Sequence, residues 1–258
     1  MDDKRKNCII LLVDPPESGK ANYELRTALG EERALHISAD LMKNSYAISK
    51  KFKNAISLLS YESVPSHPNL TWLDPEDPGF LDVAGKKPAE RLAGAFALAF
   101  NTGAQKALFL SHLSPAVRPD WLYQAFDAAG EKTISLGLNQ DGSFYLLAIT
   151  HDNLKILEGV SYETPNAAAE VAEKAKKNKL TVFTTPETFA VKSEETLRQW
   201  LDSKTQETAV FPASPPADVL FADASKENHV RKNRRVHSAA KFEHPKENPP
   251  PHAGPAPQ

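Results

Sequence analysis

The chain has 258 residues, 41% of them hydrophobic and 25% charged, enough for one substantial domain with a buried core or two small ones. A formal net charge of -2 excludes any whole-molecule argument for nucleic acid or an acidic membrane as partner. Cys8 is the single cysteine, which excludes an intrachain disulfide framework, and its apolar surroundings mark it as a core thiol.

The first apolar run, Cys8 to Val13 (CIILLV), is too short to span a membrane and has no small-residue cleavage site after it. A cytoplasmic protein is expected. The run is continuous, as in a strand buried on both faces of a parallel sheet. The segment DPPESGK that follows is loop by its Pro and Gly content. From about Glu24 to Ser49 the pattern turns helical, with Ala34, Ile37, Leu41, Ser45 and Ile48 forming one stripe. Asn54 to Tyr61 reads as a second strand and LTWL, after Pro65 and Pro68, as a short third one. DPEDPGFLDVAGK reads as loop. Pro88 opens the clearest helix, with Leu92, Ala95, Phe96, Ala99 and Phe100 on one face and Gly103 at its end.

Ala107 to Leu110 is the next strand. A helix from Arg118-Pro119 is expected to bury Trp121, Leu122, Ala125 and Phe126. Thr133 to Leu138 and Phe144 to Ile149 are strands joined by Asn139-Gln140-Asp141-Gly142-Ser143, which is turn chemistry. Thr164-Pro165 opens an alanine-rich helix with Ala168, Val171, Ala172 and Ala175 inward. Leu180 to Phe183 is the last strand. Ser193-Glu194-Glu195 caps a final helix that buries Leu197, Trp200 and Leu201. Alternating strands and helices imply a three-layer α/β/α sandwich. Its sheet is mainly parallel, and mixed because the chain turns back after Asp141. The domain is placed at residues 5–204.

Residues 205–258 have a different composition. Pro212, Pro215-Pro216 and Pro249-Pro250-Pro251 punctuate a stretch without apolar period, which predicts a disordered tail. The basic cluster His229 to His237 (HVRKNRRVH) reads either as a patch for an anionic or protein partner or as a solvated tail. It has no interleaved aromatic residues to stack on bases.

The order and spacing of several short motifs resemble a known family. PESGKANYELRTALG keeps Gly19, Leu25 and Ala28-Leu29-Gly30 of a first-loop pattern whose Lys-Thr-Arg falls here on Asn22, Tyr23 and Glu24. KKPAERLAGAFALAF keeps Arg91, Ala95-Phe96 and Ala99-Phe100. A strand ending Gly-x-Asp-x-Pro becomes Ser111-His112-Leu113-Ser114-Pro115, with Leu113 at the aspartate. Asp-Gly-Gly-Tyr-Tyr-Leu becomes DGSFYLL, keeping Asp141, Gly142, Tyr145 and Leu146. Trp-Ser-Thr becomes Tyr162-Glu163-Thr164, and Asp-Val-Asp-Thr becomes Ala190-Val191-Lys192-Ser193. Over residues 8 to 202 this resembles the uncharacterised bacterial glycosyltransferase-like family that includes the arsenosugar-biosynthesis transferase, of nucleotide-sugar-transferase (GT-A) type fold, in a divergent form.

The resemblance implies a nucleotide-sugar site at the strand tips. Asp141 and His112 are its catalytic candidates, and Gly19, Lys20, Arg91, Ser111, Gly142 and Tyr145 its ligand-binding ones. Each has a plainer reading: Asp141 as a turn initiator, His112 as a structural histidine, Lys20 as a solvated lysine, Arg91 as a partner for Glu90. Asp74, Glu76 and Asp77 form a carboxylate group in a loop. Scaffold positions are kept, while positions expected to hold metal or phosphate are replaced. A leaving diphosphate needs a divalent cation or a cluster of Arg and Lys. The expectation is therefore a glycosyltransferase-like pseudoenzyme that binds a ligand such as a nucleotide or nucleotide-sugar, or a partner, with no metal and no cofactor. One alternative is an active nucleotide-sugar-dependent transferase with a relocated site, using Mg or Mn. The other is an interaction module acting through its basic tail. No Cys or His spacing for zinc, P-loop or Gly-x-Ser-x-Gly elbow is present.

Overall fold

In the computed structural model, which describes residues 6–13, 23–62, 73, 80–83 and 87–210, the CIILLV run is a strand, β1 (Asn7–Val13), at the centre of the fold. Successive side chains of a strand point to opposite faces. Cys8, Ile10 and Leu12 enter one core and Ile9, Leu11 and Val13 the other. All six are buried, which is why this run shows no polar alternation.

The other strands are β2 (Ile56–Glu62), β3 (Phe80–Val83), β4 (Lys106–Leu110), β5 (Thr133–Asn139), β6 (Phe144–Thr150) and β7 (Thr181–Thr188). They form one seven-stranded sheet in the order β3-β2-β1-β4-β6-β5-β7. β6 is antiparallel to both its neighbours, and the remaining pairings are parallel. Helices α3 (Pro88–Asn101) and α5 (Ala167–Lys177), with a 3-10 helix at His151–Leu157, cover the core on the Cys8 side. Helices α2 (Glu31–Lys51) and α4 (Pro119–Ala128) cover the other. The mixed α/β/α sandwich is as expected. A third, smaller cluster joins Leu25 of α1 (Tyr23–Leu29) and Ala34 and Leu41 of α2 to Phe189, Val191, and Leu197 and Trp200 of α6 (Glu194–Val210).

The α3 stripe is the one predicted: Leu92, Ala95, Phe96, Ala99 and Phe100 are all buried. Several expectations need correction. The third strand is FLDV at residues 80–83, inside the segment whose composition predicts loop. Of LTWL only Leu73 is described, as a buried turn residue. The helix expected from Glu24 to Ser49 is two helices, because Gly30 takes φ 85°, a left-handed conformation that glycine adopts without a Cβ penalty. β7 runs five residues beyond Phe183. Trp121 and Ala172 are half-buried, and Leu201 is exposed. The predicted cap of α6 forms, with Ser193 Oγ accepting from the Thr196 N–H at 3.3 Å.

The chain divides into two units, Met1–Phe211 and Pro212–Gln258. The basic cluster at 229–237 and the rest of the tail beyond 210 lie outside the described residues. Among the described residues no helix is long and apolar enough to cross a membrane.

Candidate functional site

In open α/β sheets ligands bind beyond the carboxyl ends of the strands. Here β4, β5 and β7 run in one direction, so Ser111–Pro115, the Asn139–Ser143 turn and the 189–193 linker share one edge. β6 starts at that edge, and the Phe144 N–H donates to the Tyr162 carbonyl there at 3.4 Å. Four of the motif positions named from sequence therefore meet in space.

A chain of polar contacts joins them. Ser114 Oγ donates to Asn139 Oδ1 at 2.9 Å, and Asn139 Nδ2 donates to Ser143 Oγ at 3.0 Å. Ser143 then donates twice to Asp141 Oδ1, from Oγ at 2.5 Å and from its N–H at 3.0 Å. The other carboxylate oxygen, Oδ2, accepts from Lys192 Nζ at 2.6 Å, and the same ammonium donates to the Glu163 carbonyl at 2.9 Å. Ser114, Asn139 and Ser143 are buried, while the ion pair is partly open, with Lys192 23% and Asp141 36% exposed. The backbone closes the arrangement, since the Val191 N–H donates to the Leu113 carbonyl at 2.7 Å. Lys192, which stands where an acid is expected, thus contacts Asp141, and Leu113, at another such position, is bonded to the residue before Lys192.

Burial raises the Asp141 pKa, but hydrogen bonds from Lys192 and Ser143 and the Lys192 charge outweigh it, and the net shift is downward from 3.8. A carboxylate depressed in the folded state contributes stability above its unfolded pKa, and loses it as pH falls through the folded value. The stability difference between wild type and Asp141→Asn is therefore expected to be largest at neutral pH. It should shrink to nothing as the pH drops below 3.8, the ordinary aspartate value. Urea titrations across that range read it, and a difference that grew on acidification would contradict the ion pair.

The other candidates are distributed differently. Tyr145 has no exposed surface and donates its hydroxyl within the fold, to the Pro186 carbonyl at 2.8 Å, beside Thr185 Oγ1 at 2.7 Å. Burial pushes its pKa up to about 12. It sits on β6, a strand covered on both faces, so it is a core residue rather than a ligand contact. Arg91 is also buried, and its guanidinium reaches the Val13 and Ser60 carbonyls at 3.4 Å each, tying α3 to the ends of β1 and β2. Ser111 is buried and accepts from the Leu113 N–H at 3.2 Å, which shapes the tip of β4. His112 is half-buried beside it. Gly142 takes φ 81°, and a Cβ there would lie 1.9 Å from the Pro165 carbonyl oxygen. Gly19, Lys20, Asp74, Glu76 and Asp77 lie outside the described residues.

Sequence reasoning passed over Ser114, Asn139 and Ser143, and took Lys192 only as a lost acid. The available signal was the Asn-x-Asp-Gly-Ser turn, which concentrates short polar side chains at one strand end.

With this geometry in view, the chain can be set beside known proteins. Residues 53–164 match the model of a family described as "Uncharacterized protein conserved in bacteria (DUF2064)". No curated protein matches the chain. A crystal structure from Desulfovibrio desulfuricans, of a protein assigned to the nucleotide-diphospho-sugar transferases, superposes with a TM-score of 0.69 at 20% identity, covering 83% of this chain and 94% of that one. A nucleotidyl transferase from Methanothermobacter superposes with a TM-score of 0.54 at 12% identity, over 78% and 98% of the two chains. The resemblance to a divergent nucleotide-sugar-transferase type of fold holds.

Proposed function

We propose that this domain is a nucleotide-sugar-transferase-like pseudoenzyme, which binds a nucleotide or nucleotide-sugar at the carboxyl edge of its sheet without metal-dependent transfer. The observation that carries the reading is the 2.6 Å pair between Lys192 and Asp141. A divalent cation needs hard oxygen ligands, usually with carboxylate charge. Among the described residues Asp141 is the acid of the motifs that is kept at this edge, and an ammonium already neutralises it, while Glu163 turns its backbone carbonyl to the same ammonium. At an effective dielectric of 20, a unit charge pair at 4 Å interacts by about 4 kcal/mol. The attraction of Asp141 for an incoming cation is thus offset by a repulsion of similar size from Lys192. Leu113 supplies neither charge nor oxygen from its side chain, and among the described residues no group of three or more His, Cys, Asp or Glu could hold a metal. The residues present do not fit the metal that the resemblance implies.

The family match and the likeness to the Desulfovibrio structure support the transferase-like part of the reading. The replaced charges support the loss of transfer chemistry. The test is a thermal-shift and calorimetric panel of nucleotides and nucleotide-sugars on the full chain, with EDTA or with Mg or Mn, followed by an assay for donor hydrolysis. Expected are binding that is insensitive to EDTA and no hydrolysis above the buffer rate. Tight binding that requires metal, accompanied by turnover, would overturn the proposal in favour of an active transferase.

A further inference from the structure

The surroundings of the Lys192 ammonium resemble a cation site more than a surface ion pair. Two oxygens of different kinds converge on Nζ, the Asp141 carboxylate at 2.6 Å and the Glu163 carbonyl at 2.9 Å. Neither depends on Lys192 for its position. Asp141 is held by two bonds from Ser143, and Ser143 in turn is held by Asn139. Glu163 lies in a turn closed by Thr164, whose N–H and Oγ both donate to the Ser161 carbonyl. The two segments are pressed together where Gly142 meets Pro165, and the Ala168 N–H donates to the Gly142 carbonyl at 3.2 Å.

The backbone of Lys192 is also fixed without its side chain. Its N–H donates to Thr196 Oγ1 at 3.1 Å, and the preceding N–H is bonded to Leu113. Truncating Lys192 would therefore leave a carboxylate and a carbonyl still aimed at one point, now reachable by water because the pair is partly exposed. A carboxylate, a backbone carbonyl and waters make the donor set of Mg, Mn and Ca.

We infer that the Lys192 ammonium occupies a latent hard-cation site, so that residue 192 decides whether this edge is metal-free or binds a divalent ion. The inference rests on the reading above only in taking the edge to be without a metal in the wild-type chain. Its oxygens are supplied by Asp141 and Glu163, and its occupant is the protein's own side chain.

The experiment is titration with Mn alone, read by the loss of the free-ion magnetic resonance signal and by melting temperature, on the full chain. Wild type is expected to show no saturable binding. Lys192→Ala should melt lower, bind one Mn saturably with an apparent Kd at least about tenfold below the highest Mn concentration at which wild type still shows no saturation, and recover melting temperature as it binds. Lys192→Gln removes the charge while keeping most of the side-chain length, and should also gain Mn binding if the alanine variant folds poorly. Adding Asp141→Asn to either variant should abolish the gain. The inference is overturned if neither variant binds more tightly than wild type, if wild type already binds, or if the gain survives Asp141→Asn. Nucleotide binding by the wild-type chain is read separately, so either proposal can fail while the other stands.

Discussion

Replacing Gly142 by alanine is expected to destabilise the domain by roughly 3 kcal/mol or more. Gly142 has φ 81°, where an L-residue costs about 1–2 kcal/mol. The added Cβ would fall 1.9 Å from the Pro165 carbonyl oxygen, a backbone atom that cannot rotate aside. The turn and the 161–165 loop must therefore separate, opening the bond between the Gly142 carbonyl and the Ala168 N–H, worth about 1 kcal/mol. Gly103 provides the control. It takes φ 101° but a Cβ there meets nothing within 4 Å, so Gly103→Ala should cost only the backbone part. Urea unfolding of the two variants reads the difference directly. If Gly142→Ala were no worse than Gly103→Ala, the close approach of turn and loop would be wrong. The effect reaches the site as well, because separating these segments draws the Glu163 carbonyl away from the Lys192 ammonium that also binds Asp141.

The fold was largely legible where burial imposes a pattern. The β1 run is apolar throughout because both faces of a central parallel strand are covered, and α3 shows its stripe because only one face is. FLDV was missed for the opposite reasons: β3 has four residues, pairs with β2 alone at the sheet edge, and follows a Pro- and Gly-rich segment. Gly30 was read through because a left-handed residue between two helices leaves the apolar spacing almost undisturbed. At the site, the Asp-Gly turn was visible, but the role of Tyr145 was not. Its motif position suggested a ligand contact, whereas its ring is buried in the core and its hydroxyl is bonded to Thr185 and Pro186 of β7. The polar chain could not be read from spacing at all. Ser114 meets Asn139 across 25 residues and Asp141 meets Lys192 across 51, contacts that exist only once strand order is known. The selective loss of charge was legible. That one of the substitutions pairs with the surviving acid was not.

Within that chain the neutral, buried link is expected to matter more than the ion pair. Asn139→Ala should cost about 3 kcal/mol, against less than about 1 kcal/mol for Asp141→Asn. Asn139 is buried and uses both ends of its amide, accepting from Ser114 Oγ and donating to Ser143 Oγ. Removing it breaks both bonds, each worth about 1 kcal/mol, and leaves the Ser114 hydroxyl, 1% exposed, without its acceptor, a penalty of about 1–3 kcal/mol. Ser143 keeps its bond to Asp141, so only one hydroxyl is stranded. Asp141 is more than a third exposed, and water replaces much of what its charge gives up. The double variant Ser114→Ala/Asn139→Ala should recover part of the loss, since it removes the stranded hydroxyl along with its partner. Denaturant titrations of the three variants decide the matter: an Asn139→Ala cost below that of Asp141→Asn, or no recovery in the double variant, would refute this ordering. If the ordering holds, the position of Asp141 is set from the interior through Ser143 and Asn139, and Lys192 occupies a carboxylate site that the core has already built.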